Sequence, residues 1–473
     1  MAEASDASVA TGGDAATPYV ITNRVLPEKV IESLDEYISR GGGDALEIAL
    51  QVPPQELIDM VKRAGLRGRG GAGFPTGIKW QSMRADPSKT KYLCCNGAEG
   101  EPATFKDRLL MLRNPYQVFE GVAIAAYATG VSAAFVALKR RFHPQVKAME
   151  RALKEMKEAG MLGPVDIELR LGPDEYLFGE ERGLLEVIEG RAPMPRILPT
   201  YMQGILADPN NPHPAIVNNV ETLSNVPGIV RNGPEWFRSV GTDRSPGTMI
   251  FTMCGDIQRT GIYELPLGIS TRTLLYDICG GPLPGREFKA IVPGVSQPVI
   301  PPAYFDLPMD YESISSIGSG LGSGSWTVYD DTACMIKAAV MFSNFLHVES
   351  CGQCVPCKTQ SEIITRILKD LEAGKASRID VNNALQACNK VTDGNRCYVP
   401  QAESVLIQSI LRIFTGEVEA HIEVGCPFTR ELAIPKLVDF DPATGEFTYD
   451  SHYPHKRPDW TYDDEPVKIG TEA

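Results

Sequence analysis

Three cysteines stand in one turn-rich run, Cys351-Gly352-Gln353-Cys354-Val355-Pro356-Cys357, and a fourth, Cys397, follows after a stretch of helical periodicity. Few chemistries ask for three thiolates so close together. A cubane [4Fe-4S] cluster presents four irons in a compact block, each taking one thiolate. A tight loop can supply three corners while a more distant segment supplies the fourth. Zinc is the competing occupant, but zinc sites more often draw on two separated C-x-x-C pairs that wrap a tetrahedron from two sides. Three unrelated buried thiols would leave the spacing unexplained. A cluster here implies a chain that moves single electrons.

The rest of the composition narrows the class. At 473 residues the chain is too long for one ordinary core, so roughly two to four domains are expected. Its formal charge of -14 lacks the basic excess of a nucleic-acid binder. No uninterrupted apolar stretch is long enough for direct membrane insertion, and the longest, Val122 to Ala137, is broken by Tyr127, Gly130 and Ser132. Met1 to Pro18 has neither the basic start and apolar centre of a secretory signal nor the arginines of a transit peptide, and it reads as a disordered arm. Eleven cysteines without an export signal point to a reducing, cytoplasmic setting. Cys94 and Cys95 lie in an apolar run, and Cys254, Cys279, Cys334 and Cys426 are isolated, so all six read as buried core thiols.

Periodicity divides the chain. Glu56 to Ala64 has helical spacing and runs into a glycine-rich loop, Gly68 to Gly77. Tyr92 to Cys95 reads as a buried strand, His143 to Gly160 as an amphipathic helix, and Val165 to Leu171 as an alternating strand. That order fits an α/β nucleotide-type domain over 19–240. A small β-α-β domain over 247–325 follows, with strands at Met249 to Met253, Gly261 to Pro266 and Ala290 to Val292. Its helix lies at Ser270 to Ile278, and a Gly/Ser-rich stretch, Ser316 to Ser325, closes it. Residues 331–426 read as a four-helix bundle, Asp331 to His347, Thr359 to Ala373, Val381 to Lys390 and Gln401 to Thr415, with the cysteine loop between the first two helices. The tail, 427–473, is loop-like, and its end, Asp459 to Ala473, reads as disordered or wrapped on a partner.

Further elements carry binding chemistry. The loop Gly68-Arg69-Gly70-Gly71-Ala72-Gly73-Phe74-Pro75-Thr76-Gly77 is followed by Lys79, lacks the G-K-[ST] ending of a Walker loop, and follows a helix rather than a strand. Its glycine density still lets backbone N–H groups converge on an anion. A flexible surface loop is the plain alternative. Tyr176-Leu177-Phe178-Gly179-Glu180-Glu181 places paired carboxylates past the alternating strand, where they would accept hydrogen bonds from ribose hydroxyls or simply stabilise a helix N-terminus. Asn218-Asn219-Val220-Glu221-Thr222 adds amide and hydroxyl groups suited to a polar ring or a phosphate.

Taken in order, G-R-G-G-A-G-F-P-T-G-x-K-W, G-E-E, V-N-N-V-E-T, S-G-L-G and S-C-G-x-C-x-P-C resemble the NADH-binding flavoprotein subunit of respiratory complex I and the related diaphorase subunits of NAD-linked hydrogenases and formate dehydrogenases. The resemblance covers roughly residues 55 to 430. It implies an α/β multidomain fold: a Rossmann-like FMN/NADH domain, a ubiquitin-like β-grasp domain, and a C-terminal four-helix bundle carrying one [4Fe-4S] cluster. It implies that Gly68, Gly70, Gly71, Lys79, Asn96, Glu99, Asn218, Asn219 and Thr222 contact FMN. Phe74, Glu101, Tyr176, Gly179, Glu180 and Glu181 would line the flavin and NADH pocket, with Glu181, Glu180 and Tyr176 as the catalytic set. Cys351, Cys354, Cys357 and Cys397 would hold the cluster, with Cys388 as the rival for the fourth place.

The implied activity is hydride exchange between NADH and FMN followed by single-electron transfer through the cluster. The implied partners are a small [2Fe-2S] thioredoxin-like subunit and a larger iron-sulfur or catalytic subunit of hydrogenase, formate dehydrogenase or complex I type. Those partners would hold the chain in the cytoplasm or at a membrane's cytoplasmic face. Five departures from the family pattern stand near the expected pocket: Ala98, Phe178, the run Pro173-Asp174-Glu175, Leu198 and Tyr201. They define an alternative, an FMN/[4Fe-4S] relay that takes electrons from another protein instead of NADH. A zinc protein with a vestigial glycine loop is the third reading.

Overall fold

The computed structural model describes residues 23–463. The arm expected over Met1 to Pro18 and the last ten residues, 464–473, lie outside the described residues.

A four-stranded sheet forms the first layer. Its strands are β1 (Tyr92–Gly97), β2 (Ala133–Lys139), β3 (Asp166–Gly172) and β4 (Ala215–Asn219), in the order β3-β2-β1-β4. All are parallel, with Cys95 opposite Val136 on one side and Asn218 on the other. Both faces are covered. Leu93, Cys95, Val136, Ile167 and Ile216 enter one core, and the alternate residues Cys94, Phe135, Ala137 and Val217 enter another. Cys94 and Cys95 are therefore core thiols, as expected. Because β4 lies on the opposite side of β1 from β2 and β3, the chain reverses direction across the sheet between β1 and β4. That geometry opens a crevice at their carboxyl ends.

Strand β2 was not anticipated. The apolar run Val122 to Ala137 splits between the helix Pro115–Thr129, ended by Gly130 in the left-handed region (φ 67°), and the start of β2. Ahead of the sheet, the helix Pro54–Ala64 begins with proline in its first turn. It buries Leu57, Ile58, Val61 and Ala64, and stops at Gly65 (φ 72°).

A second, mixed sheet contains β5 (Thr248–Gly255), β6 (Gly261–Pro266), β7 (Phe288–Pro293) and β8 (Ser325–Asp330), in the order β6-β5-β8-β7. The central pair is parallel and the outer pairs are antiparallel. Strand β8 starts at the last residue of the stretch read as a closing linker. The segment expected to be a short helix at Ser270 to Ile278 forms a single π-type turn, Thr273–Ile278.

Helices Met335–Glu349, Val355–Glu372, Arg378–Lys390 and Val399–Ile413 follow, then a short one, Thr415–His421. Phe342, Leu346, Ile364, Leu368, Leu406 and Ile410 share their core. Ser377 and Asp380 form a reciprocal capping box at the start of Arg378–Lys390. The segment after Pro427 is loop-like only as far as Lys436. Strands β9 (Leu437–Asp441) and β10 (Glu446–Tyr449) pair as a hairpin, and the tilted ring of Phe440 has its centre 4.8 Å from that of Phe447 and 6.2 Å from that of Phe105. Lys456 then reaches the buried Glu349 at 2.9 Å, and Trp460 donates to Val348 O. The described part of the tail thus folds on its own chain.

The helix Pro115–Thr129 meets the helix Val220–Ser224 so closely that a Cβ at Gly121 would lie 2.1 Å from Leu223 O. Gly121→Ala is expected to lower stability by about 1–3 kcal/mol, read as a shift in the urea midpoint. An unchanged midpoint would contradict this close approach.

Candidate functional site

The crevice at the ends of β1 and β4 is a cavity of about 670 Å³. Gly70, Gly71, Asn96, Glu99, Glu101, Tyr176, Gly179, Glu180, Glu181 and Asn219 all line it. The other sequence-derived residues stand behind or beside the lining. Asn218 turns to the core, where its Oδ1 accepts from Trp80 Nε1 at 3.1 Å. Thr222 is fully buried and accepts from Arg69 N at 2.8 Å. Lys79 donates to Val217 O at 2.8 Å and pairs with Glu181 at 3.4 Å. Gly68 O accepts from Tyr311 Oη, and Phe74 lies on the surface, 53% exposed.

The glycine loop is anchored rather than loose. Arg69 is fully buried and donates through Nε and Nη2 to Thr248 O on β5 at 3.1 and 2.9 Å. Arg67 donates to Gly73 O and pairs with Glu312 at 2.7 Å. Between these anchors, the N–H groups of Gly70, Gly71 and Ala72 have no acceptor among the described residues. A Cβ at Gly71 (φ 128°) would meet nothing within 4 Å, so the backbone there faces open cavity. A ready row of donors in a cavity of this size fits a phosphate-bearing flavin.

The acidic residues have separate tasks. Glu180 caps the helix Glu181–Ile188, accepting from Arg182 N and Gly183 N at 2.8 and 2.9 Å. Burial raises its carboxyl above the ordinary value. Glu99 accepts from Asp107 N and pairs with Arg108 at 2.7 Å. Glu101 reaches into the second sheet's loops, accepting from Val295 N, Ser296 Oγ and Ser323 Oγ at 3.0–3.1 Å, and burial raises its carboxyl too. Asn96 donates to Gly179 O at 2.7 Å, fastening the paired-glutamate segment to the end of β1.

Sequence reasoning missed the cavity's far wall, Ser296, Gln297, Tyr311 and Ser323, together with Tyr398 and Val399. The S-G-L-G run was the available signal, since Ser319, Gly320 and Leu321 line the same wall. Of the departures from the family pattern, Ala98 lines the cavity, whereas Phe178 is fully buried behind it. Asp174 pairs with Lys139 and Arg141 beside a smaller cavity of about 260 Å³, and Leu198 and Tyr201 are exposed.

Cys351 and Cys354 occupy the loop before Val355–Glu372, Cys357 its first turn, and Cys397 the turn before Val399–Ile413. Gln353 bridges the two segments, donating to Cys351 Sγ at 3.5 Å and accepting from Arg396 at 2.8 Å. Two helix N-termini therefore open onto the cysteines, a setting that favours an anionic centre. Burial pushes the Cys357 thiol up to about 11 and raises Cys397 further, with Cys351 among the charges each of them feels. Cys388 is fully buried within its helix, where its charged neighbours are Glu403 and Arg412. The donor set fits a four-thiolate cluster whose assembly displaces protons.

Residues 61–228 match the family described as the Nuo51 FMN-binding domain, and residues 337–421 match the NADH-ubiquinone oxidoreductase-F iron-sulfur binding region. The chain is 40% identical over 424 residues to the F 2 subunit of the NADH-quinone oxidoreductase of Rhizobium meliloti, covering 87% of this chain and 99% of that protein. It is 37% identical over 403 residues to the NADP-reducing hydrogenase subunit HndC of Solidesulfovibrio fructosivorans, covering 83% and 81%. A crystal structure of NAD+-reducing [NiFe]-hydrogenase in the H2-reduced state superposes with a TM-score of 0.73 at 32% identity, over 84% of this chain and 67% of that one. These matches define the class, an oxidoreductase component with an FMN-binding domain and a [4Fe-4S] region. The chain belongs to the family of NADH-quinone oxidoreductase F subunits.

His347 lies one helical turn before the cysteine loop, bonded to Ser361 at 3.0 Å. Burial, reinforced by Lys358, lowers its pKa from 6.5 to about 4. The unfolded chain therefore binds this proton first as pH falls, and stability is lost between about pH 6.5 and 4. Urea midpoints across that window should decline, and less steeply in His347→Gln. Equal slopes in the two proteins would show that His347 does not drive the loss.

Proposed function

We propose that this chain exchanges hydride between NADH and FMN and passes electrons singly through a [4Fe-4S] cluster to partner iron-sulfur subunits of a larger redox complex. One observation carries the reading. Tyr398, Val399 and Ala402 line the flavin-sized cavity, and Cys397 immediately precedes Tyr398, so pocket and cysteines share a wall. FMN, when bound, accepts two electrons as hydride and releases them one at a time.

The chain's own residues position and insulate. Gly70, Gly71 and Ala72 offer N–H groups to the flavin phosphate. Asn96, Glu99 and Asn219 fix the cavity floor, with Gly68, Lys79, Asn218 and Thr222 supporting it from behind. Glu181, at the cavity edge beside Lys79, binds the nicotinamide nucleotide, and Tyr176, Gly179, Glu180 and Glu101 close around it, with Phe74 at the rim. Hydride transfer needs no acid or base from the protein, so orientation and exclusion of water supply the catalysis. Cys351, Cys354, Cys357 and Cys397 bind the cluster.

The units are a Rossmann-like domain over 19–240, a ubiquitin-like β-grasp domain over 247–325 and a four-helix bundle over 331–426. The 2-1-4-3 strand order of the second sheet and the shared core of the four long helices support these assignments. A small [2Fe-2S] thioredoxin-like subunit and a larger iron-sulfur or catalytic subunit are the proposed neighbours, in the cytoplasm. Among the described residues no helix is long and apolar enough to cross a membrane.

Ala98 on the cavity wall favours a second reading, a relay that takes electrons from a protein donor. Glu181→Gln separates the two. Retained flavin with at least about a tenfold loss of kcat/KM for NADH is expected, and unchanged turnover of the whole complex would favour the relay. The cluster ligands are tested by iron content. Cys397→Ser should lose the cluster and Cys388→Ser should keep it, and the reverse pattern would move the fourth ligand to Cys388.

A further inference from the structure

We propose that Cys334, His421 and Cys426 form a zinc site separate from the iron-sulfur centre. The residues come from three places: the junction between β8 and Met335–Glu349, the end of Thr415–His421, and the segment beyond it. Their ligand atoms all lie within 4.8 Å of one another, and Cys334 Sγ stands 3.2 Å from His421 Nε2. Zinc ligands at about 2.0–2.3 Å from the metal stand about 3.4–3.8 Å apart in a tetrahedron, so small side-chain rotations close the set.

The histidine is already oriented for a metal. Its Nδ1 lies 2.6 Å from Glu417 O, and a carbonyl can only accept, so Nδ1 carries the proton. In the neutral ring, Nε2 then directs its lone pair at the thiols, as in metal-ligating histidines whose far nitrogen is tied to a carbonyl. Cys334 caps Met335–Glu349, accepting from Lys337 N at 3.4 Å, which fixes its sulfur beside the ring.

A thiol–imidazole hydrogen bond would account for Cys334 and His421 alone. It does not account for Cys426, which its backbone bond to Glu372 O, at 2.9 Å, holds in place beside them. Two sulfurs and an imidazole select zinc by ligand softness. Cys426 is half-buried, so solvent or a partner's side chain reaches the fourth position.

The site is remote from the cluster. Cys334 precedes and Cys351 follows Met335–Glu349, a helix of 15 residues, which places them about 22 Å apart. Zinc would clamp the start of the first long helix to the end of the helical unit. From there the chain continues to Arg430, which pairs with Asp256 and Asp330 on the second sheet.

The test uses the full-length, flavin- and iron-loaded protein, incubated with zinc chloride, washed with a chelator and analysed for metals. About one zinc per chain beside about four irons is expected. His421→Gln and Cys426→Ser should each lose the zinc while keeping iron and flavin. Less than about a tenth of a zinc per chain in protein that retains its irons would overturn the proposal, as would undiminished zinc in both variants. Should the variants not fold, cobalt(II) bound to the unmodified protein decides. Thiolate-to-cobalt charge transfer with tetrahedral d–d bands supports the site, and their absence refutes it. Loss of NADH oxidation with zinc still bound would count against the redox reading alone.

Discussion

The pocket rests on one fully buried ammonium group. Lys106 Nζ lies 2.8 Å from Asp107 Oδ1, 2.9 Å from Glu221 Oε2 and 3.1 Å from Asn219 Oδ1. Burial alone would lower its pKa, but Asp107 and Glu221 outweigh that and raise it. Asn219 in turn donates to Asp107 at 2.7 Å, and Glu221 Oε1 accepts from Ile250 N on β5 at 2.9 Å. One charge thereby joins the end of β4, the helix Lys106–Arg113 and the second sheet. Removing a single partner from such a network typically costs about 3–5 kcal/mol, because the remaining charge is stranded in the interior.

The second sheet and the helical unit complete a crevice that the first sheet only begins. The crossover between β1 and β4 fixes where it opens. Glu101 ties it to the loops before β8, and Asn96 ties it to the paired-glutamate segment. Glu349, two residues before the cysteine loop, accepts from Tyr176 N at 3.2 Å, from Tyr453 Oη at 2.9 Å and from Lys456. The pocket wall, the cysteine loop and the C-terminal segment are therefore coupled through one buried carboxylate. Burial opposes that charge, while Lys456 and Lys436 outweigh burial and hold the carboxyl below its ordinary value.

Much of this is legible in the residue order alone. Alternation in Val165 to Leu171 and the helical spacing of the later segments place the elements they cover to within a few residues, and motif order identified the family. The failures have physical causes. Strand β2 is buried on both faces, so its sequence shows no alternation to separate it from the preceding helix. Strand β8 follows a glycine- and serine-rich segment that reads as a linker but forms part of the pocket wall. Asn218 and Asn219 are neighbours on a strand and point to opposite sides, so a motif naming both cannot say that only Asn219 reaches the cavity. Cys334 and Cys426, read as isolated buried thiols, converge on His421 across a sequence separation that no spacing rule detects, and Cys426 is only half-buried.

The donor is the point on which the functional account turns, because Ala98 on the cavity wall departs from the family pattern while the glycine loop and the four cysteines of that pattern are present. An anaerobic titration of the full-length protein with NADH, followed by visible absorbance and EPR, tests it directly. Bleaching of the flavin band together with a reduced-cluster EPR signal is the expected result. A flavin and cluster that dithionite reduces and NADH leaves oxidised would contradict NADH as the donor.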